Sequence, residues 1–172
     1  MRRAGPRFRA DRGQALLEFA LVIPIFMVIL VGMIDLGRVV WANNTVSNAA
    51  REAARFAVVH GGSRSTACPV GPAVAGKTIV PPASPACPYP SPSTEAIRDI
   101  ARSFTVAGGS ALTISVCYGS GCSGNTDAVG ATNARGTPVT VTVTSRVDMI
   151  MGNLIGIGSA GVSATSTMLV NH

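Results

Sequence analysis

The sequence predicts an α+β fold, in which a long N-terminal helix packs on a small three-stranded antiparallel sheet with one short extra helix. Three observations predict it. An apolar run extends from Ala15 to Ile34, a stretch without glycine or proline follows from Val39 to His60, and the C-terminal third alternates apolar and hydroxyl-bearing side chains. The chain has 172 residues, enough for one domain with an appendage.

Residues 1–13 form a basic leader. Five arginines stand here against one acid, Asp11, so this short stretch holds most of the net charge of +6. A basic stretch directly before an apolar run is typical of the cytoplasmic side of a membrane protein. A nucleic-acid-binding tail would have no apolar run behind it, so we predict no nucleic-acid partner.

Residues 14–36 are predicted to span the cytoplasmic membrane once, which places the chain after Leu36 outside the cytoplasm. Glu18 is the only charge in the apolar run. At ~1.5 Å per residue, about 20 helical residues reach ~30 Å, enough to cross a bilayer. The alternative is a cleaved secretory signal peptide. Its apolar region is usually about 7 to 15 residues long and ends in a small-residue cleavage site, whereas this longer run continues into "MIDLGRVVW".

Residues 37–60 are predicted to continue the same helix outside the membrane, and Gly61 and Gly62 to end it. Small and apolar residues recur on one face at helical spacing: Val39, Ala42, Val46, Ala49, Ala50, Ala53, Phe56 and Ala57. This stripe needs a partner to cover it. We expect the remainder of the chain to cover it.

Residues 61–93, rich in glycine, proline and serine, are predicted to form an irregular loop, and residues 94–172 the rest of the head. Ser93 is expected to cap the short helix, with Glu95 in its first turn. Three strands should follow within "ALTISVCY", "TPVTVTVTSRV" and "AGVSATSTMLV". The apolar, glycine-broken "MIMGNLIGIG" between the last two is either a packed turn of helix or a patch near the membrane surface, and the sequence leaves both open.

The four cysteines lie in the segment predicted to be exported, where pairing by oxidation is expected. Three pairings are possible. We favour Cys68–Cys87, which closes the proline-rich loop, and Cys117–Cys122, which closes the turn after the first strand. A metal site is not predicted, because the chain has one C-x₄-C and two isolated histidines instead of a compact ligand set.

Nothing in the sequence predicts an enzyme. There is no G-x-S-x-G elbow, no G-x-x-x-x-G-K-[ST] loop and no phosphate-binding G-x-G-x-x-G ahead of a helix. The acidic residues are scattered along the chain. We therefore predict no catalytic residues, no cofactor and no small-molecule substrate.

The N-terminal third carries a family resemblance. "RGQALLEF", the proline within the apolar run, "DLGR" and "NAAREAAR" resemble the TadE-like family of the Tad (tight adherence) pilus systems, which are pilin-like membrane proteins of bacteria. The resemblance covers residues 12 to 59, and "TPVTVTVTSRV" and "VSATSTM" fit the same family more loosely. The cysteine- and proline-rich middle matches nothing specific.

The resemblance implies a processing site and an assembly helix. Type IV pilins have a basic leader that ends in glycine, followed by a mature chain with glutamate at its fifth position. Gly13 would then end the leader, and prepilin peptidase would cut before Gln14, leaving Glu18 fifth and Phe19 sixth. Main pilins usually begin with an aromatic residue, and this mature chain would begin with glutamine instead.

The residues themselves give Glu18 a role. An intramembrane acid is a functional candidate, and a free amine at Gln14 would lie one helical turn away, ~6 Å along the axis. Glu18 would pair with that amine or with a neighbouring chain during assembly, unless it only reaches back to the cytoplasmic interface. Pro24 removes a backbone donor and is expected to kink or loosen the helix, either for packing or because the membrane tolerates it.

The sequence as a whole predicts a TadE-like minor pilin or pilus-assembly protein that acts through helix packing. Its expected partners are the cytoplasmic membrane, prepilin peptidase and other pilins or the pilus assembly platform. Two other classes stay open: an uncleaved single-span protein whose disulfide-bonded head binds a ligand or envelope component, and a cleaved, secreted domain.

Overall fold

The structure is a computed structural model that describes residues 10–61, 70–72, 94–105, 109–122, 132–156 and 158–171. Within these residues it has the predicted α+β fold. The elements in chain order are α1 (Ala10–Val59), α2 (Glu95–Phe104), β1 (Gly109–Tyr118), β2 (Pro138–Asp148), α3 (Ile150–Ile155) and β3 (Ser159–Leu169). Most of the leader and most of the predicted loop 61–93 lie outside the described residues.

Helix α1 is continuous for 50 residues and passes through Pro24 without a break in its assignment. At ~1.5 Å per residue it is ~75 Å long. Its C-terminal end is held by the head: the Asn171 amide donates to the carbonyl oxygen of Val58 at 3.4 Å, and the Val70 amide donates to that of His60 at 2.9 Å. These contacts give partners to carbonyl groups that a helix end leaves without one.

The three strands form one antiparallel sheet in the order β1-β2-β3. In the central strand, Val139, Val141 and Val143 are completely buried and alternate with half-buried threonines. The alternation of valine and threonine in the sequence predicted that the valine face would be buried. On the opposite face the threonine hydroxyls of β2 pair with hydroxyls of β3 at 2.9 to 3.1 Å.

The outer half of α1 lies on the valine face of the sheet and against α2. The buried residues of the helix are mostly alanines, whose small side chains let the helix approach the sheet closely: Val46, Ala49, Ala50, Ala53, Ala54 and Ala57. Val39, Ala42 and Phe56 pack at the edge of this core. The predicted stripe is therefore confirmed, and Ala54 extends it.

The sheet runs along the helix. One end of the sheet lies near Asp35. There Asp148 pairs with Ser159 and is two residues from Ile150, whose amide donates to Asp35. The other end leads to Asn171, which bonds to Val58. The span from residue 35 to 58 of α1 is ~35 Å, close to the ~33 Å that ten residues of β2 cover.

Two local predictions were wrong. The residue that precedes α2 is Thr94, not Ser93, and its side chain makes no capping hydrogen bond. The alternation expected in β1 holds only in part, because Leu112 is 37% exposed and Cys117 is buried. β1 pairs with β2 alone, so the sheet covers Leu112 from one side. Cys117 forms a disulfide with Cys122, which ties the turn after β1 to the end of that strand.

Candidate functional site

The first half of α1 is apolar and is not covered by the head. Side chains from residue 13 to 34 are exposed, with the single exception of half-buried Val31. Leu17 is 69% exposed and Phe19 is 63% exposed. The helix is long and apolar enough to span a membrane, with a mean hydropathy of 2.7 over its best window. Another apolar phase, lipid or protein, must cover this surface.

Glu18 lies on this exposed surface, one turn after Gln14. The Gln14 side-chain amide donates to the Glu18 carboxylate at 3.3 Å. A neutral amide satisfies part of the carboxylate but does not neutralise its charge. The charge itself is still without a partner among the described residues of this apolar half.

Gly13 lies within α1, which begins at Ala10, so the Gly13–Gln14 bond is part of a helix. A Cβ atom added at Gly13 would meet nothing within 4 Å. The helix therefore gives no packing reason for glycine here, and glycine weakens a helix by about 1 kcal/mol relative to alanine. Pro24 lies about three turns further on, where its ring leaves one backbone carbonyl of the helix without its usual donor.

The head meets the end of the apolar run at Asp35, and this contact was not predicted from the sequence. The two oxygens of the Asp35 carboxylate accept hydrogen bonds from the backbone amides of Ile150 at 3.0 Å and Met151 at 2.8 Å. Asp35 is only 6% exposed. The Arg38 guanidinium lies 3.7 Å from the same carboxylate.

Asp35 acts as the N-terminal cap of α3, although it is more than a hundred residues away in sequence. The residue before α3 is Met149, whose side chain has no oxygen with which to cap the first amides. A carboxylate at a helix N-terminus accepts from these amides and complements their partial positive charge. Residues 150–155 of "MIMGNLIGIG" thus form the helix α3, which contacts α1, and its first turn lies where the apolar run ends.

The disulfide in the described residues is Cys117–Cys122, the pair that we favour from the sequence. It closes the turn after β1, and the Gly119 amide of that turn donates to the carbonyl oxygen of Pro138 at 2.8 Å. Cys68 and Cys87 lie outside the described residues. Among the described residues, no three histidine, cysteine or acidic side chains come together in a way that could hold a metal ion.

These features define a class of protein. The chain is an α+β protein with one candidate membrane span among the described residues, and the second half of α1 is built into a small head. The model of the family described as TadE-like protein matches residues 13–55, about a quarter of the chain. The resemblance is therefore confirmed over α1, and it implies a role in Tad pilus assembly. No curated protein and no solved structure matches the chain.

Proposed function

We propose that the protein is a TadE-like minor pilin or pilus-assembly protein that is anchored by α1 and acts through helix packing, not through chemistry. One observation supports this most: the segment that matches the family model is the same helix whose first half is apolar and uncovered. Lipid would cover this half in the membrane, and the helices of other pilins or of the assembly platform would cover it in an assembly.

The charge of Glu18 supports processing before Gln14. A carboxylate in an apolar layer costs ~2.5–3.5 kcal/mol at the centre of a bilayer and less near its edge. Cleavage by prepilin peptidase would create an α-amine one turn away, ~6 Å along the axis. That amine, or the amine of a neighbouring chain, would provide the opposite charge that the Gln14 amide cannot.

The chain orientation in this proposal follows from the arginines of residues 1–12, which favour the cytoplasmic side. The head then lies outside the cytoplasm, where the Cys117–Cys122 disulfide is chemically favoured. Both features agree on the direction in which α1 crosses the membrane.

Mass spectrometry of the mature N-terminus tests the proposal. We expect a chain that begins at Gln14, and Gly13→Leu should abolish this cleavage because the peptidase would no longer find glycine before the cut. The helix has open space at Gly13, so the variant should still fold and insert. Gly32→Leu is the matched control, since Gly32 also has nothing within 4 Å, and it should be cleaved normally.

Other N-termini would support other classes. An intact Met1 would favour a plain membrane anchor with a ligand-binding head, and a start beyond Leu36 would favour a secreted domain. Glu18→Ala tests the assembly role separately. If this variant inserts normally and pilus assembly is unchanged, the carboxylate has no role in packing between chains.

A further inference from the structure

We propose that the head itself contacts the lipid bilayer through an apolar foot, defined as residues 149–156, which rests in the outer interface beside α1. This inference rests on the membrane anchoring proposed above. It adds a second contact between the protein and the membrane, and it assigns lipid as the partner of a surface that the fold leaves exposed.

The depth of the foot follows from Asp35. The apolar run ends at Ile34, and the first two amides of α3 lie within 3.0 Å of the Asp35 carboxylate. A run of about 20 residues fills the ~30 Å hydrocarbon layer. α3 therefore begins at the outer edge of that layer and not in the water beyond it.

One side chain of α1 is less exposed than its neighbours one turn before Asp35. Val31 lies one turn earlier on the same helix face, ~6 Å deeper, and it is half-buried while the other side chains from 13 to 34 are exposed. α3 is in contact with α1. The contact between α3 and α1 therefore lies at the end of the apolar run, where Asp35 accepts the first amides of α3.

The chemistry of the foot suits lipid. Residues 149–156 contain no charged side chain. Ile150 is 56% exposed, and the polar Asn153 is exposed as well. Met33 and Leu36 of α1 are 70% and 66% exposed at the same depth. The apolar surface of the foot is thus continuous in depth with the surface that already requires lipid.

Charged and amphipathic residues mark the upper limit of this surface. The charged residues that follow or precede this surface in sequence are Arg38 on α1 and Arg146 and Asp148 at the end of β2. All three are at least partly exposed. Trp41, the single tryptophan of the chain, is 51% exposed and lies ~9 Å above Asp35 along the helix. Tryptophan is enriched at the membrane–water interface, so this depth fits an interface that surrounds the foot.

Depth-dependent fluorescence quenching tests the proposal on the full chain in phosphatidylcholine vesicles at low protein content. Trp41→Phe removes the native signal, and Ile150→Trp then reports on the foot. Bromine atoms on the lipid chains near the headgroups should quench this probe, and iodide in the water should not quench it. Because lipid surrounds the probe, its emission should also lie to the blue of that of a tryptophan in water.

Two further probes in the same background provide controls. Leu21→Trp lies within the apolar run and should be quenched most by bromine near the chain ends. Leu169→Trp is matched to Ile150 as a large apolar residue that is 61% exposed, but it lies at the other end of the sheet, ~33 Å away along the strands. It should be quenched by iodide alone.

The outcomes separate the two proposals. If bromolipids quench Leu21→Trp while Ile150→Trp behaves like Leu169→Trp, the foot is in water and this inference is overturned, although the anchor stands. A blue shift of the Ile150→Trp emission that grows with protein content, without bromine quenching, would mean that a second copy covers the foot, which also overturns it. If Leu21→Trp is not quenched, membrane anchoring fails.

The unmodified chain gives a second measurement that does not depend on folding of a variant. Lipids with a photoreactive group near the headgroup should cross-link to the peptide that contains residues 149–156. The peptide that contains Leu169 serves as the internal comparison. Equal labelling of the two peptides would contradict the proposal.

Discussion

Removal of the Asp35 carboxylate should detach α3 from α1 and destabilise the membrane-facing end of the head. Asp35→Ala leaves the amides of Ile150 and Met151 without their acceptor in a place that is 6% exposed. Hydrogen bonds to a charged group contribute about 1.5–3 kcal/mol each, and loss of a helix cap costs about 0.5–2 kcal/mol. Because these two figures describe the same contacts, we expect a total loss of about 2–4 kcal/mol in the free energy of unfolding.

Asp35→Asn divides this effect into parts. The side-chain carbonyl of asparagine accepts one of the two amides, but its NH₂ group is a donor and faces the second amide without bonding to it. We therefore expect a loss of about 1–2 kcal/mol. Arg38→Met removes only the ion pair at 3.7 Å with a guanidinium side chain that is 40% exposed. That variant should lose less than about 1 kcal/mol.

The assay is thermal unfolding of the full chain in detergent micelles, combined with hydrogen exchange of the α3 amides. Exchange at Ile150 and Met151 should accelerate strongly in Asp35→Ala, and exchange in β2 at Val141 should change little. Asp148→Asn is the control, because this exposed acid lies two residues before α3. If Asp35→Ala is as stable as Asp148→Asn, the carboxylate does not hold the head, and our account of this junction is wrong.

Three further variants probe the head. Gly71→Ala should lose about 1–3 kcal/mol of stability, because Gly71 has a φ of +147° and its new Cβ would lie 2.7 Å from that of Asn133; Gly161→Ala, which meets nothing within 4 Å, is the control for thermal unfolding. Burial raises the pKa of the Tyr118 phenol, so the folded state keeps its proton above about pH 10 while the unfolded state loses it. Stability should be complete below that pH and fall above it by up to about 1.4 kcal/mol per pH unit, and Tyr118→Phe should remove this loss in alkaline melts. Ala53→Leu should cost about 1–3 kcal/mol, because Ala53 is completely buried between helix and sheet, and unchanged melting would contradict the packing described above.

The long helix and the central strand were predictable because each has a regular period. The alanine stripe of α1 recurs at helical spacing, and the valines of β2 alternate strictly with threonines, so each buried face is visible in the sequence alone. β1 has the same alternation but only one neighbouring strand, and a sequence pattern does not show which strand lies at an edge. The alternation alone therefore does not show that Leu112 is 37% exposed.

Asp35 could not be predicted, because its partners are backbone amides of a distant segment. Nothing in the side chains of Ile150 and Met151 indicates that their amides need an acceptor. A signal was nevertheless present in retrospect. An acid ends the apolar run, and the apolar segment that starts at Met149 has no capping residue of its own. In the folded protein, the acid at the end of the apolar run caps the helix that has no capping residue of its own.

The contacts at the two ends of the helix–head interface make α1 and the head a single mechanical unit. Near the membrane, Asp35 holds α3, and ~35 Å further on, the carbonyl oxygen of Val58 accepts the amide of Asn171. Between them the alanines of α1 are buried in the core that the helix shares with the sheet, and Ala53 is completely buried. Among the described residues, the outer half of α1 and the sheet therefore share one packed core. If partner helices cover the exposed apolar half, as proposed above, a displacement of that half would reach the head through this shared core.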